Sequence, residues 1–285
     1  MKLEMILAAT NGSPVGNDAL RAAARIAAGA GARLAAVTVA QDPRQWIESG
    51  EVEKYRFNLP DPIESVLTPR VRDRLEPVFR AAIDTPLTAH LVRLGVPGVE
   101  VARAAEIVKA DLVVLGRGAE IGRTIEATIR RARMPCLLVP AGPLRFQRVL
   151  AAVGAGPAAT DVLAGAVALA VAEGGDILAL HVEPTPGQSE GGAPRRETIR
   201  HVHALSGALH AAWEREAGGA PTATAACELI VRQGELVTEI LNAVREERID
   251  LLVVGCHRGE SGDQLKSIGF RLLRRAPCAV LTVPV

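Results

Sequence analysis

No excess of one charge sign marks this chain, whose 33 Lys and Arg against 32 Asp and Glu leave a formal net charge of +1 over 285 residues. A broad field that gathers nucleic acid or anionic lipid is therefore not expected. Cysteine is scarce, four in all, and no CxxC pair occurs, so neither a zinc site nor a disulfide framework is indicated. Two of the four, Cys136 and Cys278, each follow a Pro at the start of an apolar run, the setting of a buried structural thiol. The longest apolar run, Val162 to Ala172, falls short of the roughly 20 residues that span a bilayer. The start MKLEMILAAT carries Glu4 among its apolar residues, unlike a secretory signal, and a cytoplasmic location is the expectation.

Catalytic signatures are missing too. There is no Gly-x-Ser-x-Gly elbow, no complete Gly-x-x-x-x-Gly-Lys-Ser/Thr loop, no Ser-Gly-Gly-x-Asp-Ser loop and no His-Ile-Gly-His run, so the chain is not expected to be an enzyme. His201 and His203 stand two apart on a helical stretch and point to different sides, while His210 shares a face with His203 but gains no third ligand. No metal site is expected.

What is present is a sentence written twice. Asp111 to Val139 reads DLVVLGRGAEIGRTIEATIRRARMPCLLV, and Asp250 to Val283 reads DLLVVGCHRGESGDQLKSIGFRLLRRAPCAVLTV. Asp111, Gly116 and Gly95 recur 139 positions later as Asp250, Gly255 and Gly234, and Pro135-Cys136 recur 142 later as Pro277-Cys278. The opening strands, Met5 to Ala9 and Arg148 to Ala152, are offset by 143. A repeat of this length predicts two domains, 1–143 and 144–285, with the small differences in offset taken up in loops.

Each copy alternates aliphatic runs with helical periodicity. In the first half the pattern predicts strands at 3–9, 33–39, 87–94, 111–115 and 136–139, with helices at 19–28, 63–78, 99–109 and 123–132. Pro69 and Pro77 should interrupt or kink the second of those helices. The second half repeats the order with strands at 148–153, 176–182, 225–232, 250–254 and 278–283, and helices at 159–173, 195–216, 235–246 and 265–274. Residues 41–62 form an irregular insertion over the domain surface, and the Gly- and Pro-rich 184–194 its mobile counterpart. Strands apolar on both faces, alternating with helices, call for α/β domains with a parallel sheet covered on both sides.

In such a sheet the ligand crevice opens beyond the carboxyl ends of the strands where their order reverses. The loops of the right character are Asn11-Gly12-Ser13 with Gly116-Arg117-Gly118 in the first half, and Gly154-Ala155-Gly156 with Gly255 through Ser267 in the second. Glycines let backbone N–H groups approach a phosphate, and a following helix presents its positive end. In the second loop His257, Arg258, Gly259, Lys266 and Ser267 surround a helix start, so cations and a hydroxyl stand where an anion would be held.

At these residues the chain resembles the universal stress protein family in its tandem two-domain form, over nearly all of both halves. The resemblance implies two Rossmann-like domains, of the adenine nucleotide alpha hydrolase-like kind, each a five-stranded parallel sheet of order 3-2-1-4-5 with helices on both faces. In that family the first strand usually ends in Asp-Gly-Ser, and the fourth leads through Gly-x-x-Gly, nine residues, then Gly-Ser or Gly-Thr. Members with the full signature typically bind ATP. Here Asn11 replaces the Asp, the first-half loop is about seven residues short, Gly154-Ala155-Gly156 replaces Asp-Gly-Ser, and Lys266-Ser267 stands for Gly-Ser.

The resemblance therefore implies a stress-response binding or signalling module with degenerate nucleotide sites and at most weak ATP or other adenine nucleotide binding in the second half. One alternative is a nucleotide-free scaffold for an unidentified protein partner; another, of a different class, is an ATP-hydrolysing or nucleotidyl-transfer enzyme. The two halves should form an intramolecular pseudo-dimer, with further association into a homodimer left open.

Overall fold

In a computed structural model of the protein, residues 1–40, 63–119, 121–154, 156–184, 195–216, 227–256 and 268–285 are described. The insertion at 41–62 and the Pro184–Pro194 loop beyond its first residue lie outside them. The first half runs β1 (Met5–Ala9), α1 (Pro14–Ala30), β2 (Arg33–Ala40), α2 (Ile63–Ala82), β3 (Ala89–Leu94), α3 (Pro97–Val108), β4 (Leu112–Arg117), α4 (Arg123–Arg131) and β5 (Cys136–Pro140). The second runs β6 (Arg148–Ala152), α5 (Ala158–Glu173), β7 (Asp176–Glu183), α6 (Arg195–Glu216), β8 (Cys227–Gln233), α7 (Leu236–Glu246), β9 (Leu251–Cys256), α8 (Ile268–Arg275) and β10 (Ala279–Pro284).

Two expectations change. α1 begins at Pro14 rather than Ala19, because Ser13 caps it through a hydrogen bond from Gly16 N and Pro14 needs no amide partner in a first turn. Pro69 and Pro77 lie inside α2 without breaking it. Each removes only one backbone hydrogen bond, and Leu75 and Phe79, buried on either side of Pro77, hold the helix on the sheet.

The strands form one ten-stranded sheet in the order β3-β2-β1-β4-β5-β10-β9-β6-β7-β8. Within each half every pairing is parallel, as alternation with helices requires. The halves join where β5 and β10 pair antiparallel, Leu138 opposite Val280. Two five-stranded parallel sheets thus share one hydrogen-bonded seam about an internal dyad.

Alternation along each strand divides the core. Ile6 and Ala8 point to the layer of α1, α2, α5 and α6, with Leu20, Phe79, Leu163 and Leu209; Met5 and Leu7 point to α3, α4, α7 and α8, with Val101, Ile129, Ile240 and Phe270. The Val162–Ala172 run is apolar all round because it is α5, wedged between sheet, α6 and α1. Among the described residues no helix is long and apolar enough to cross a membrane. Cys136 and Cys278 are buried as expected, and so is Cys256. Burial pushes the thiols of Cys136 and Cys256 up to about 12 and that of Cys278 up to about 11, which keeps them protonated.

The repeated residues do the same work in both copies. Asp111 Oδ2 accepts from the amides of Glu4 and Met5 at 2.8 and 2.9 Å, and Asp250 Oδ2 from those of Gln147 and Arg148 at 3.0 Å each. The acid that opens the fourth strand therefore fixes the start of the first. Gly95 and Gly234 adopt φ of +136° and +154°, and a Cβ there would crowd the Glu100 Cγ at 3.2 Å or overlap the Glu239 Cγ at 2.8 Å. Glu100 is buried and bridges Arg93 and Arg103; Glu239 lies near Arg232, which also reaches Glu246.

α7 carries a cap that titrates. Glu235 accepts from the Thr238 hydroxyl and amide, and these bonds, with one from Arg271, hold its carboxyl down at about 2. A carboxyl with a depressed folded pKa contributes stability above its unfolded value near 4.5 and loses it as pH falls toward the folded value. Glu235→Ala should cost about 1 kcal/mol at pH 7, since the side chain is half exposed, and urea titrations should show the difference closing between pH 4.5 and about 2.

Candidate functional site

β1 and β4 are neighbours, Ile6 opposite Leu112, so the turns after them stand side by side at the carboxyl end of the sheet. In the first half the turn after β1 is held by its own side chains. Gly12 N donates to Thr10 Oγ1, Ser13 N to Asn11 Oδ1 and Gly16 N to Ser13 Oγ, at 3.1, 3.1 and 3.2 Å. Amides that could hold a phosphate are thus turned inward on their own side chains. Gly12 has φ +78°, and a Cβ there would lie 2.6 Å from Leu75 Cδ2, so α2 rests on the turn.

Beneath it is a buried polar relay. Thr38 Oγ1 donates to Thr10 O at 2.9 Å and lies 3.1 Å from His90 Nε2. A hydroxyl has one proton to give, so His90 is the donor in the second contact and carries its proton on Nε2. Burial, then the nearby Arg72, lowers the His90 pKa and keeps the ring neutral, with Phe79 packed edge-on at 4.9 Å. In the second copy His181, 143 positions after Thr38, places Nδ1 2.9 Å from Val153 O, the counterpart of Thr10 O.

The β4 side is equally altered. A Cβ on Gly116 would fall 2.5 Å from Val15 O, so the first turn of α1 sits directly on the strand end. Gly118 is exposed with open space around it. Between them Arg117 turns away from the crevice. It donates to the carbonyls of Leu273, Ala276 and Cys278 at 3.1, 3.0 and 2.9 Å, capping the end of α8 in the other half. Only 8% exposed, it lies beside a cavity of about 430 Å³ that Val15, Gly118, Ile121 and Arg274 also line. Burial lowers its pKa.

The second crevice is different. Gly154 and Gly156 are exposed, a Cβ on either would touch nothing, and α5 starts without any side-chain hydrogen bond at its N-cap. Gly255 is next to last in β9, and a Cβ on it would make ordinary contact with Val162 and Val285. His257, Arg258, Gly259, Lys266 and Ser267 lie outside the described residues, as does Ala155. Asn11, Gly12, Ser13 and Gly116 come together around the start of α1; Gly118 stands at the rim. Among the described residues no group of three His, Cys, Asp or Glu is placed to hold a metal.

Sequence reasoning missed Leu75, the Thr38–His90 pair and the destination of Arg117. Two of these left a trace in the repeat: the counterpart of Arg117 is Cys256, and that of Thr38 is His181.

Solved structures share the fold. A universal stress protein from Archaeoglobus fulgidus superposes with a TM-score of 0.68 at 17% identity, covering 98% of this chain and 96% of that one. One described as a putative universal stress protein from Pseudomonas aeruginosa gives 0.59 at 15% identity, covering 99% and 93%. No curated protein sequence matches this chain. The model of the universal stress protein family matches twice, over residues 3–140 and 145–284, and the chain therefore belongs to that family as a tandem of two domains.

Proposed function

We infer that the protein is a cytoplasmic stress-response module that works by binding and association, without turnover, and that its halves have diverged. The first takes no nucleotide and serves as scaffold; the second keeps a weak site for ATP or another adenine nucleotide. The observation that carries this reading is the contrast between the two turns after β1 and β6. In the first, the amides of Gly12, Ser13 and Gly16 are spent on Thr10, Asn11 and Ser13, and Leu75 covers the turn. In the second, two exposed glycines lead to a helix start without a side-chain cap; the amides of Ala159 and Thr160 donate only to the Gly156 and Pro157 carbonyls, so an anion would draw on the remaining amides of that turn. The absence of turnover is supported by the missing catalytic signatures and by the one histidine at the first crevice, His90, being tied to Thr38.

Heat unfolding with ATP tests the reading. For a Kd of about 100 μM, a 5 mM dose adds roughly 2.3 kcal/mol, a melting shift of a few degrees. Lys266→Ala should shrink the shift, and Ser13→Ala, in the closed half, should leave it unchanged. An ATP shift abolished by Ser13→Ala would reverse the assignment of halves. No shift at all would leave the scaffold alone, and phosphate release well above background would make the protein an enzyme.

A further inference from the structure

The internal dyad brings together two basic helices that sequence alone keeps far apart. α4 ends in Arg130-Arg131 with Arg133 just beyond, α8 carries Arg271 and ends in Arg274-Arg275, and the only acid in either helix is Glu126. Because β5 and β10 are antiparallel neighbours and both helices pack on the same face, α4 and α8 flank the seam in opposite directions. Arg274 Nη2 meets Glu126 Oε1 at 2.7 Å, fastening the end of one to the first turn of the other. The C-terminal arginines of the two helices therefore lie at opposite ends of one basic ridge across the seam of a chain whose formal net charge is only +1.

This ridge is short of partners. Arg271 is paired with Glu235, and Arg133 with Glu106 at 3.8 Å, both at the flanks. Among the described residues Arg130, Arg131 and Arg275 have no carboxylate partner. Arg131 reaches only the Ala127 carbonyl, and Arg130 holds a buried Nε–H with no acceptor. Arginines without a carboxylate partner leave positive charge and guanidinium donors for an anion to meet.

We propose that the α4–α8 ridge docks an acidic segment of a partner protein. This rests on the reading of the chain as a module that acts by association, and names the surface and its ligand. Every cation on the ridge is an arginine, whose planar fork takes carboxylates two bonds at a time. A nine-residue helix is about 13 Å long, so the ridge matches about four residues of extended peptide. Single-stranded nucleic acid fits less well, since the one aromatic in either helix, Phe270, is buried and offers no stacking platform. A membrane fits less well too: Ile125, Ile129, Leu272 and Leu273 face the core, leaving Ile268 as the exposed apolar residue.

The test titrates fluorescein-labelled decaglutamate against the full chain at low salt, beside a deca-thymidine oligonucleotide and vesicles containing phosphatidylserine. Decaglutamate should bind best, and Arg130→Gln/Arg131→Gln/Arg275→Gln should weaken it at least about tenfold. The exposed trio Arg70→Gln/Arg74→Gln/Arg80→Gln on α2 should change it little. No binding, or equal loss in both triple variants, overturns the proposal. Tighter binding of the oligonucleotide or vesicles, lost in the ridge variant, overturns it in favour of that ligand. Circular dichroism confirms that each variant is folded. None of these outcomes bears on the ATP shift or on turnover, which decide the broader reading separately.

Discussion

Arg117→Ala should destabilise the protein by about 3 kcal/mol or more, seen in urea as a lower midpoint. The side chain leaves β4 of the first half and ends among three carbonyls of the second, Leu273, Ala276 and Cys278. These acceptors belong to the last turn of α8 and the strand start after it, so they cannot move out to water without unwinding that end. Removing the arginine relieves the cost of burying its charge, but strands its acceptors. Hydrogen bonds to a charged group contribute about 1.5–3 kcal/mol each, so three stranded carbonyls outweigh the relief. Arg117→Lys should recover only part of the loss, since one ammonium cannot reproduce the spread of the guanidinium donors. A change below about 1 kcal/mol for the alanine variant would mean that water replaces the donors and that the arginine does not tie the halves together.

Gly29→Ala should be nearly as damaging, for a steric reason. A Cβ at Gly29 would sit 1.8 Å from the carbonyl oxygen of Ala172, so α1 and α5 touch backbone to backbone across the dyad. Neither a backbone oxygen nor a helix axis yields by rotating a side chain. The helices must part, and the Arg25–Glu173 contact beside them, together with the Arg25 bond to the Leu144 carbonyl, must stretch. Overpacking of this kind costs about 1–3 kcal/mol, and the upper part of that range applies because the clash is with main chain. Gly207→Ala on α6, where a Cβ meets nothing, should instead be neutral or stabilising by up to about 1 kcal/mol. Equal effects at the two sites in thermal unfolding would show that helix propensity, and not the crossing, controls the result.

Both positions lie on the join between halves, which is where sequence reasoning was weakest. The alternation of aliphatic runs with helical spacing located the strands and helices within a few residues, including α6 at Arg195–Glu216. Those signals are local, set by which side chains share a face over a few turns. Whether Pro69 and Pro77 would interrupt α2 or only bend it was not legible, because a proline penalty is local while the burial of Leu75 and Phe79 that keeps the helix continuous is not. At the crevice the departures from the family glycine pattern were legible, but not their consequence. That depended on Leu75 arriving from α2 and on Thr38 and His90 meeting from β2 and β3.

The order of residues by itself determined the duplication, the α/β alternation and the family, because each rests on repeated spacing and on the choice between apolar and polar. Only the tertiary structure decided that β5 would pair with β10, that Arg117 would serve the other half, that Leu75 would rest on the turn after β1 and that Arg274 would meet Glu126 across the seam. Each of these needs residues far apart in the chain to arrive at the same place. Nothing in the local pattern encodes that meeting until the sheet has closed around its dyad.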